Sequence, residues 1–325
     1  GLTEGKHCSV CGEILIAQQT IPATGSKGLI YTVNSDEKTC TVSGIGSCTE
    51  TDIFIPSINP SGYIVSSIEN FAFYECNKLT SVTIGNGITS IGHYAFFGCS
   101  RLINITIPDS VTSIGGDAFT NCSGLTSITI PDSVTFIGSE AFFGCSNLTY
   151  NEYDNAYYLG NETNKYLVLI KAKSTEIKSS NINNNCKIIC DSAFKSCKYL
   201  TNITIPDSTT SIGANAFENC YELINVSIGK NVTTINNNAF SGCNRLTNIT
   251  IPDSVTSIYT NAFKDCNNLI YNEYDNAYYL GNNTNKFLAL IKAKSNIKNC
   301  IINNDCKIIY DSAFKNHREL IDIYI

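Results

Sequence analysis

The sequence has no methionine, no tryptophan, and only three histidines and seven prolines among 325 residues. Histidine is the one side chain that titrates near neutral pH without help, so three of them leave little material for acid–base chemistry. Charge is sparse as well. Only 15% of residues are charged, and 22 basic against 28 acidic side chains give a net charge of −6. Binding to nucleic acid or to an anionic membrane calls for a basic excess, so neither partner is expected. Long apolar runs are missing. The longest, Tyr166–Ile170, falls far short of the ~20 residues of a spanning helix, and no membrane insertion is expected. Nucleophile elbow, phosphate loop, HExxH and dinucleotide fingerprints do not occur, so neither an enzyme nor a cofactor is expected. With no methionine at position 1, a processed or trimmed chain is expected, and no signal peptide.

What is present is a repeat. Cys76, Cys99, Cys122 and Cys145 are spaced evenly by 23, and so are Cys197, Cys220, Cys243 and Cys266. A fixed period of this length marks a solenoid and outranks any local reading. One unit, from Leu102, reads LINITIPDSVTSIGGDAFTNCSG, and the next, from Leu125, reads LTSITIPDSVTFIGSEAFFGCSN. With the first Leu as position 0, apolar residues recur at 0, 3, 5, 9, 12, 16, 17 and 20.

These spacings predict a path for each coil. LxxIxI alternates like a strand. Pro-Asp-Ser (Pro108–Ser110, Pro131–Ser133, Pro206–Ser208, Pro252–Ser254) is a turn, because proline cannot donate to a ladder and Asp can bond its own backbone. VxxI is a second strand, and Gly92, Gly115, Gly138 and Gly213 mark a bend after it. Ala, Phe and Cys at 16, 17 and 20 fit one helical or 3₁₀ turn. The expectation is an α/β repeat solenoid, a right-handed coil of short parallel strands. A single coil buries too little apolar surface to offset the entropy of ordering it, so neighbours must stack.

Full coils begin at 79, 102, 125, 148, 177, 200, 223, 246, 269 and 297, and Ile53–Asn77 is a coil with a longer turn. Two coils are long, at 148–176 and 269–296, and both contain YNEYDNAYYLGN. The expected organisation is a leader or partial surface module over 1–28, a cap over 29–52 and the solenoid over 53–325. Leu29–Val33 and Thr39–Ser43 read as a hairpin capping the first coil. About eleven coils at strand spacing predict a length of ~50–55 Å. Leu320–Ile325 holds only the first strand of a further coil, an open edge that predicts a chain cut at this point.

The unit with I-P-D-S-V-T-S-I-G, A-F and C at these offsets resembles the BspA-like leucine-rich repeat family over about Ile53–Ile325. GLTEGKHCSVCGEILIAQQTIPATG looks like a short module of bacterial surface proteins that often stands beside such repeats. The resemblance implies a leucine-rich-repeat fold and a secreted or cell-surface protein, often of anaerobic gut or oral microbes and some protists. It also implies adhesion to host extracellular matrix or to other cells. The periodicity itself implies only the fold.

Several residues are candidates for more than packing. Column thiols of adjacent coils approach disulfide range, but each has a neighbour on both sides, so pairing would be arbitrary; His317 also stands in the column. Buried reduced thiols are the expected state, against column disulfides or metal, and many free thiols outside a cell point to an anaerobic habitat. His7-Cys8-x-x-Cys11 is a fragment of a zinc pattern without a second CxxC, so Cys8 and Cys11 are either a weak metal site or a disulfide or free thiols. Cys40 and Cys48 lie outside the column and are either bridged or free.

His93 reads as an exposed loop residue, and Glu152/Asp154 with the copy Glu273/Asp275 as solvated turns rather than a calcium site. The sequons Asn104-Ile-Thr106 and Asn248-Ile-Thr250 follow mechanically from asparagine at strand position 2. Thr83, Thr106, Thr129, Thr204, Ser227 and Thr250 form a hydroxyl ladder, either solvated strand residues or a surface for extended ligands.

The long coils carry the candidate ligand-binding residues. Asn155–Leu159 and Tyr166–Lys171 read as a hairpin projecting from the solenoid. The two copies bring Tyr150, Tyr153, Tyr157 and Tyr158, and Tyr271, Tyr274, Tyr278 and Tyr279. Tyrosine gives large contact area at low entropic cost, although these rings can equally pack the hairpin onto its neighbours. The expected function is non-enzymatic binding to a host matrix or cell-surface protein, by a monomer. A structural spacer and a carbohydrate-binding module are the alternatives, the latter weakened by the lack of tryptophan.

Overall fold

The computed structural model describes residues 25–325, together with the backbone of Lys6–His7 and Ile14–Ile16, which pair antiparallel. Cys8 and Cys11 lie outside the described residues. The chain divides into two compact units, residues 1–134 with 141–149, and residues 135–140 with 150–325.

In the first unit the predicted cap is a hairpin of Ile30–Val33 and Thr39–Gly44. Its turn is closed by Asp36, whose carboxylate accepts the Lys38 and Thr39 N–H groups at 2.9 Å each. Thr39–Gly44 then pairs in parallel with Ile64–Ile68, which pairs with Ser90–Ile91, which pairs with Ser113–Ile114. The LxxIxI strands form a separate parallel sheet of Asp52–Ile55, Ser81–Ile84 and Asn104–Thr106, with Ile53, Val82 and Ile105 in register. The second unit repeats the plan. Asn202–Thr204, Asn225–Ser227 and Asn248–Thr250 stack in parallel, while Ile188–Ile189, Ser211–Ile212, Thr234–Ile235 and Ser257–Ile258 build the other sheet.

The eight periodic positions are the core. In the coil from Leu102, residues Leu102, Ile105, Ile107, Val111, Ile114, Ala118, Phe119 and Cys122 are all buried. Position 17 forms a column of parallel rings. Phe96 and Phe142 stack on the two sides of Phe119 at 5.4 and 5.6 Å, and Phe217 lies between Phe194 and Phe240 at 5.3 and 5.2 Å. The Pro-Asp-Ser turns close as predicted, with the Val111 N–H on the Pro108 carbonyl at 3.1 Å. Their serines add inter-coil bonds that the repeat pattern does not announce. Ser110 donates to the Ile88 carbonyl at 2.8 Å and Ser208 to that of Cys186 at 2.7 Å.

One expectation fails. The Ala-Phe-x-x-Cys segment is neither helical nor 3₁₀, and no helix occurs among the described residues. Successive N–H groups alternate between two kinds of partner. Ala216, Glu218 and Cys220 donate three residues back, to Gly213, Asn215 and Phe217, whereas Asn215, Phe217 and Asn219 donate to the next coil, at Asn237, Ala239 and Ser241. Left-handed residues punctuate the run at positions 15 and 19, as at Asp117 (φ 55°) and Asn121 (φ 61°), or Asn215 (φ 55°) and Asn219 (φ 59°). A helix cannot continue through such residues, and the coils gain an inter-coil ladder instead. The glycine after VxxI serves close approach. A Cβ on Gly115 would lie 2.6 Å from the backbone of Gly92 and His93 in the preceding coil.

Candidate functional site

In both long coils the inserted residues form a three-stranded antiparallel meander. Asn151–Tyr153 pairs with Ala156–Leu159, which pairs with Val168–Ala172. The second copy is Asn272–Tyr274, Ala277–Leu280 and Ala289–Ala293. The hairpin is present as predicted, but it does not project. Val168–Ala172 pairs in parallel with Ile188–Ile189, and Ala289–Ala293 with Ile308–Ile309, so the meanders extend the second sheet in its own plane. The connecting loop is held down too. Asn161 Oδ1 accepts the Thr163 and Asn164 N–H groups at 3.0 and 2.8 Å, and Asn164 Nδ2 reaches the Asn185 carbonyl at 2.9 Å.

The strand register sorts the eight tyrosines. Tyr158 and Tyr279 are core residues with no exposed surface, and their assignment as surface ligand contacts is corrected. Each phenol oxygen accepts a backbone N–H, from Asn183 at 3.3 Å and from Asn303 at 3.2 Å. Burial raises both phenols, Tyr279 to about 12. Tyr166 meets Tyr158 edge-on at 5.6 Å, and Phe287 meets Tyr279 likewise at 5.5 Å. Tyr153 and Tyr274 are exposed, and Tyr150, Tyr157, Tyr271 and Tyr278 are half-buried.

These last four belong to a row of side chains crossing the meander. Glu152 stands opposite Tyr157, and Tyr157 opposite Lys171; in the copy, Glu273, Tyr278 and Lys292 stand in the same order. Lys171 Nζ lies 5.5 and 5.8 Å from the ring centroids of Tyr150 and Tyr157, and Lys292 Nζ 4.4 and 5.2 Å from those of Tyr271 and Tyr278. Lys173 and Lys294 sit two residues further on and pair with Glu152 and Glu273 at 2.8 Å each. The ring quadrupole and the carboxylate thus hold two ammonium groups beside each tyrosine pair.

The periodic pattern of the coils does not announce these lysines. Their signal was the twice-repeated Ile-Lys-Ala-Lys, whose alternation puts both charges on one strand face. Beside the second row lies a cavity of about 300 Å³, lined in part by Phe263, Cys266, Tyr271, Lys292 and Tyr310. Burial raises the Tyr271 phenol.

The acidic residues of the meander are engaged. Glu152 and Glu273 hold lysines, Asp154 accepts the Asn181 N–H at 2.6 Å and Asp275 that of Ile301 at 2.8 Å. All four are exposed, as expected of solvated turns, and Asp154 and Asp275 also tie their coil to the next. His93 likewise accepts the Gly116 N–H on Nδ1 at 3.0 Å. The described cysteines are free, Cys40 and Cys48 included. No group of three or more His, Cys, Asp or Glu suited to a metal ion occurs among the described residues. The hydroxyl ladder Thr83, Thr106, Thr129, Thr204, Ser227 and Thr250 is exposed in each unit.

Parallel strands, a 23-residue period and a one-sided hydrophobic column define a leucine-rich-repeat solenoid. The family profile described as BspA type leucine rich repeat region matches six copies over residues 54–167 and 172–291, and the chain belongs to that family. Among solved structures, it is similar to a leucine rich repeat protein of T. pallidum at 23% identity, covering 71% of this chain and 92% of that one, with a TM-score of 0.41. A leucine rich cell surface protein of Faecalibacterium prausnitzii shows 26% identity over 94% of this chain and 95% of that one, with a TM-score of 0.39. A leucine-rich repeat protein of Bacteroides ovatus shows 25% identity over 91% and 93%, with a TM-score of 0.33. No curated protein matches. No helix among the described residues is long and apolar enough to cross a membrane.

Proposed function

We propose that the chain is a non-enzymatic binding protein, secreted or held at a cell surface, that attaches to a protein of host matrix or of another cell. Membership of the BspA type family supports a protein-binding role. The observation that carries the reading is the duplicated row of Tyr150, Tyr157 and Lys171, and of Tyr271, Tyr278 and Lys292. Coils without the insertion bury their eight periodic apolar positions, although single rings such as Phe143, Tyr221 and Tyr259 are exposed on them. The long coils keep half-buried aromatic area and ammonium groups at the surface, the composition of an interface anchor. Two such rows in one chain suit a repetitive or extended partner, because the second contact becomes intramolecular once the first has formed.

The test is binding of the full chain to immobilised fibronectin, fibrinogen and collagen and to a glycan array. Saturable binding to a protein, weakened by Tyr157→Ser with Tyr278→Ser, supports the reading. Binding to glycans alone, or silence on every surface, contradicts it.

A further inference from the structure

Positions 15 and 18 of the coil lie on the run of turns, and most coils place polar residues there: Asp117 and Thr120, Ser192 and Lys195, Asn215 and Glu218. The first two coils depart from this. Phe71 and Tyr94 occupy position 15, and Tyr74 and Phe97 occupy position 18. Their rings form a two-by-two block in the first unit. Phe71 stacks on Tyr94 with centroids 4.9 Å apart and Tyr74 on Phe97 at 5.0 Å, while tilted contacts of 5.9 and 5.7 Å join the two columns.

Fold stability does not account for this block. Phe71 has φ 62° and Tyr94 φ 56°, a left-handed conformation that costs an L-residue about 1–2 kcal/mol and is least unfavourable for Asn or Asp. Phe71 and Tyr74 also remain in water, at 55% and 42% exposure, while Tyr94 and Phe97 are half-buried. A strained backbone that holds Phe71 out into solvent, where sister coils use polar residues such as Asp117, Ser192 and Asn215, points to a use outside the fold.

The surroundings define the partner. Glu69 and Glu75 are exposed, flank Phe71 and Tyr74 in the chain, and enter no ion pair among the described residues. His93, next to Tyr94, accepts the Gly116 N–H on Nδ1 at 3.0 Å. Ring quadrupoles and two unpaired carboxylates together suit a cation.

We propose that this block is a second recognition surface, in the unit that lacks the Tyr–Lys rows, and that it docks a basic segment of a partner protein through arginine or lysine side chains set against the rings. The proposal does not depend on the meander rows binding anything.

The test is calorimetric titration of the full chain at low salt with a short synthetic peptide of alternating arginine and glycine, and separately with cellohexaose. Two variants are compared with the parent: Phe71→Asn with Tyr94→Asn, which installs the residue type of the sister coils, and Glu69→Gln with Glu75→Gln. The ring variant keeps the net charge, so general attraction of the peptide to an acidic protein is unchanged. The expected result is loss of about tenfold or more in peptide affinity in the ring variant with an equal or higher melting temperature, and a weaker, less salt-dependent affinity in the carboxylate variant. Equal affinity in parent and ring variant would overturn the proposal. So would a fall in melting temperature on installing asparagine, which would make the rings packing residues, or binding of cellohexaose with the peptide silent.

Discussion

The Cys122 thiol donates to the backbone carbonyl of Phe96, 3.1 Å away in the preceding coil. The same bond joins Cys99 to Phe73, Cys145 to Phe119, Cys220 to Phe194 and Cys266 to Phe240, each at 3.1 Å. Position 20 is therefore a ladder of thiol donors, each adding a second bond to a carbonyl that already accepts a backbone N–H within its own coil. Burial keeps the column thiols protonated, the form that does not attack an oxidant or a disulfide, and so favours the reduced column. Denatured, unreduced protein is expected to titrate at least eight free thiols, while native protein reacts slowly. Recovery of seven or eight disulfides would contradict the ladder.

Burial raises the thiols of Cys99, Cys197 and Cys266 from 9.0 to about 12. The folded chain holds these protons at a pH where the unfolded chain releases them, so their contribution to stability is complete below pH 9 and is lost as pH rises toward 12. Melting temperature measured from pH 7 upward is expected to be level to about pH 8.5 and then to decline. A level profile to pH 11 would show that the thiols are accessible to solvent.

Phe119 lies between two parallel rings with no exposed surface. Phe119→Ala is expected to cost about 3–5 kcal/mol in denaturant unfolding, because the neighbouring rings cannot close the cavity without shifting whole coils. A loss below about 1 kcal/mol would remove position 17 from the core.

Ser196 has φ 60° on an exposed stretch of turns. Ser196→Gly is expected to be more stable than Ser196→Ala by about 1 kcal/mol, the reverse of the ranking in a helix, where glycine is the worse residue by a similar amount. Chemical denaturation of the two variants separates the cases. Alanine ahead of glycine would restore the helical turn.

The legible and illegible parts divide along physical lines. Leu102, Ile105, Val111 and Phe119 were readable as core because burial acts on every coil alike and leaves a period. The left-handed residues were readable in principle from the run of Asn121, Gly144, Asn219, Gly242 and Asp265 at position 19, but Ala-Phe-x-x-Cys mimics helical spacing and masked them. Which tyrosine of Ala-Tyr-Tyr-Leu faces inward was not readable. A register shift between Tyr157 and Tyr158 breaks the alternation, and only the strand partners show that Tyr158 is the buried one. Lys171 and Lys292 depend on the same register, since a one-residue slip would place them on the other face.

The central claim is that the two meander rows bind together. It is tested most directly by measuring the adhesion of Tyr157→Ser, Tyr278→Ser and the combined variant to the captured partner, with melting temperature alongside. Tyr158 and Tyr279 are left in place because they hold the core. The account predicts that each single variant weakens adhesion, that the combined variant loses more than either, and that melting temperature stays within a few degrees of the parent. Unchanged adhesion in the combined variant would contradict it.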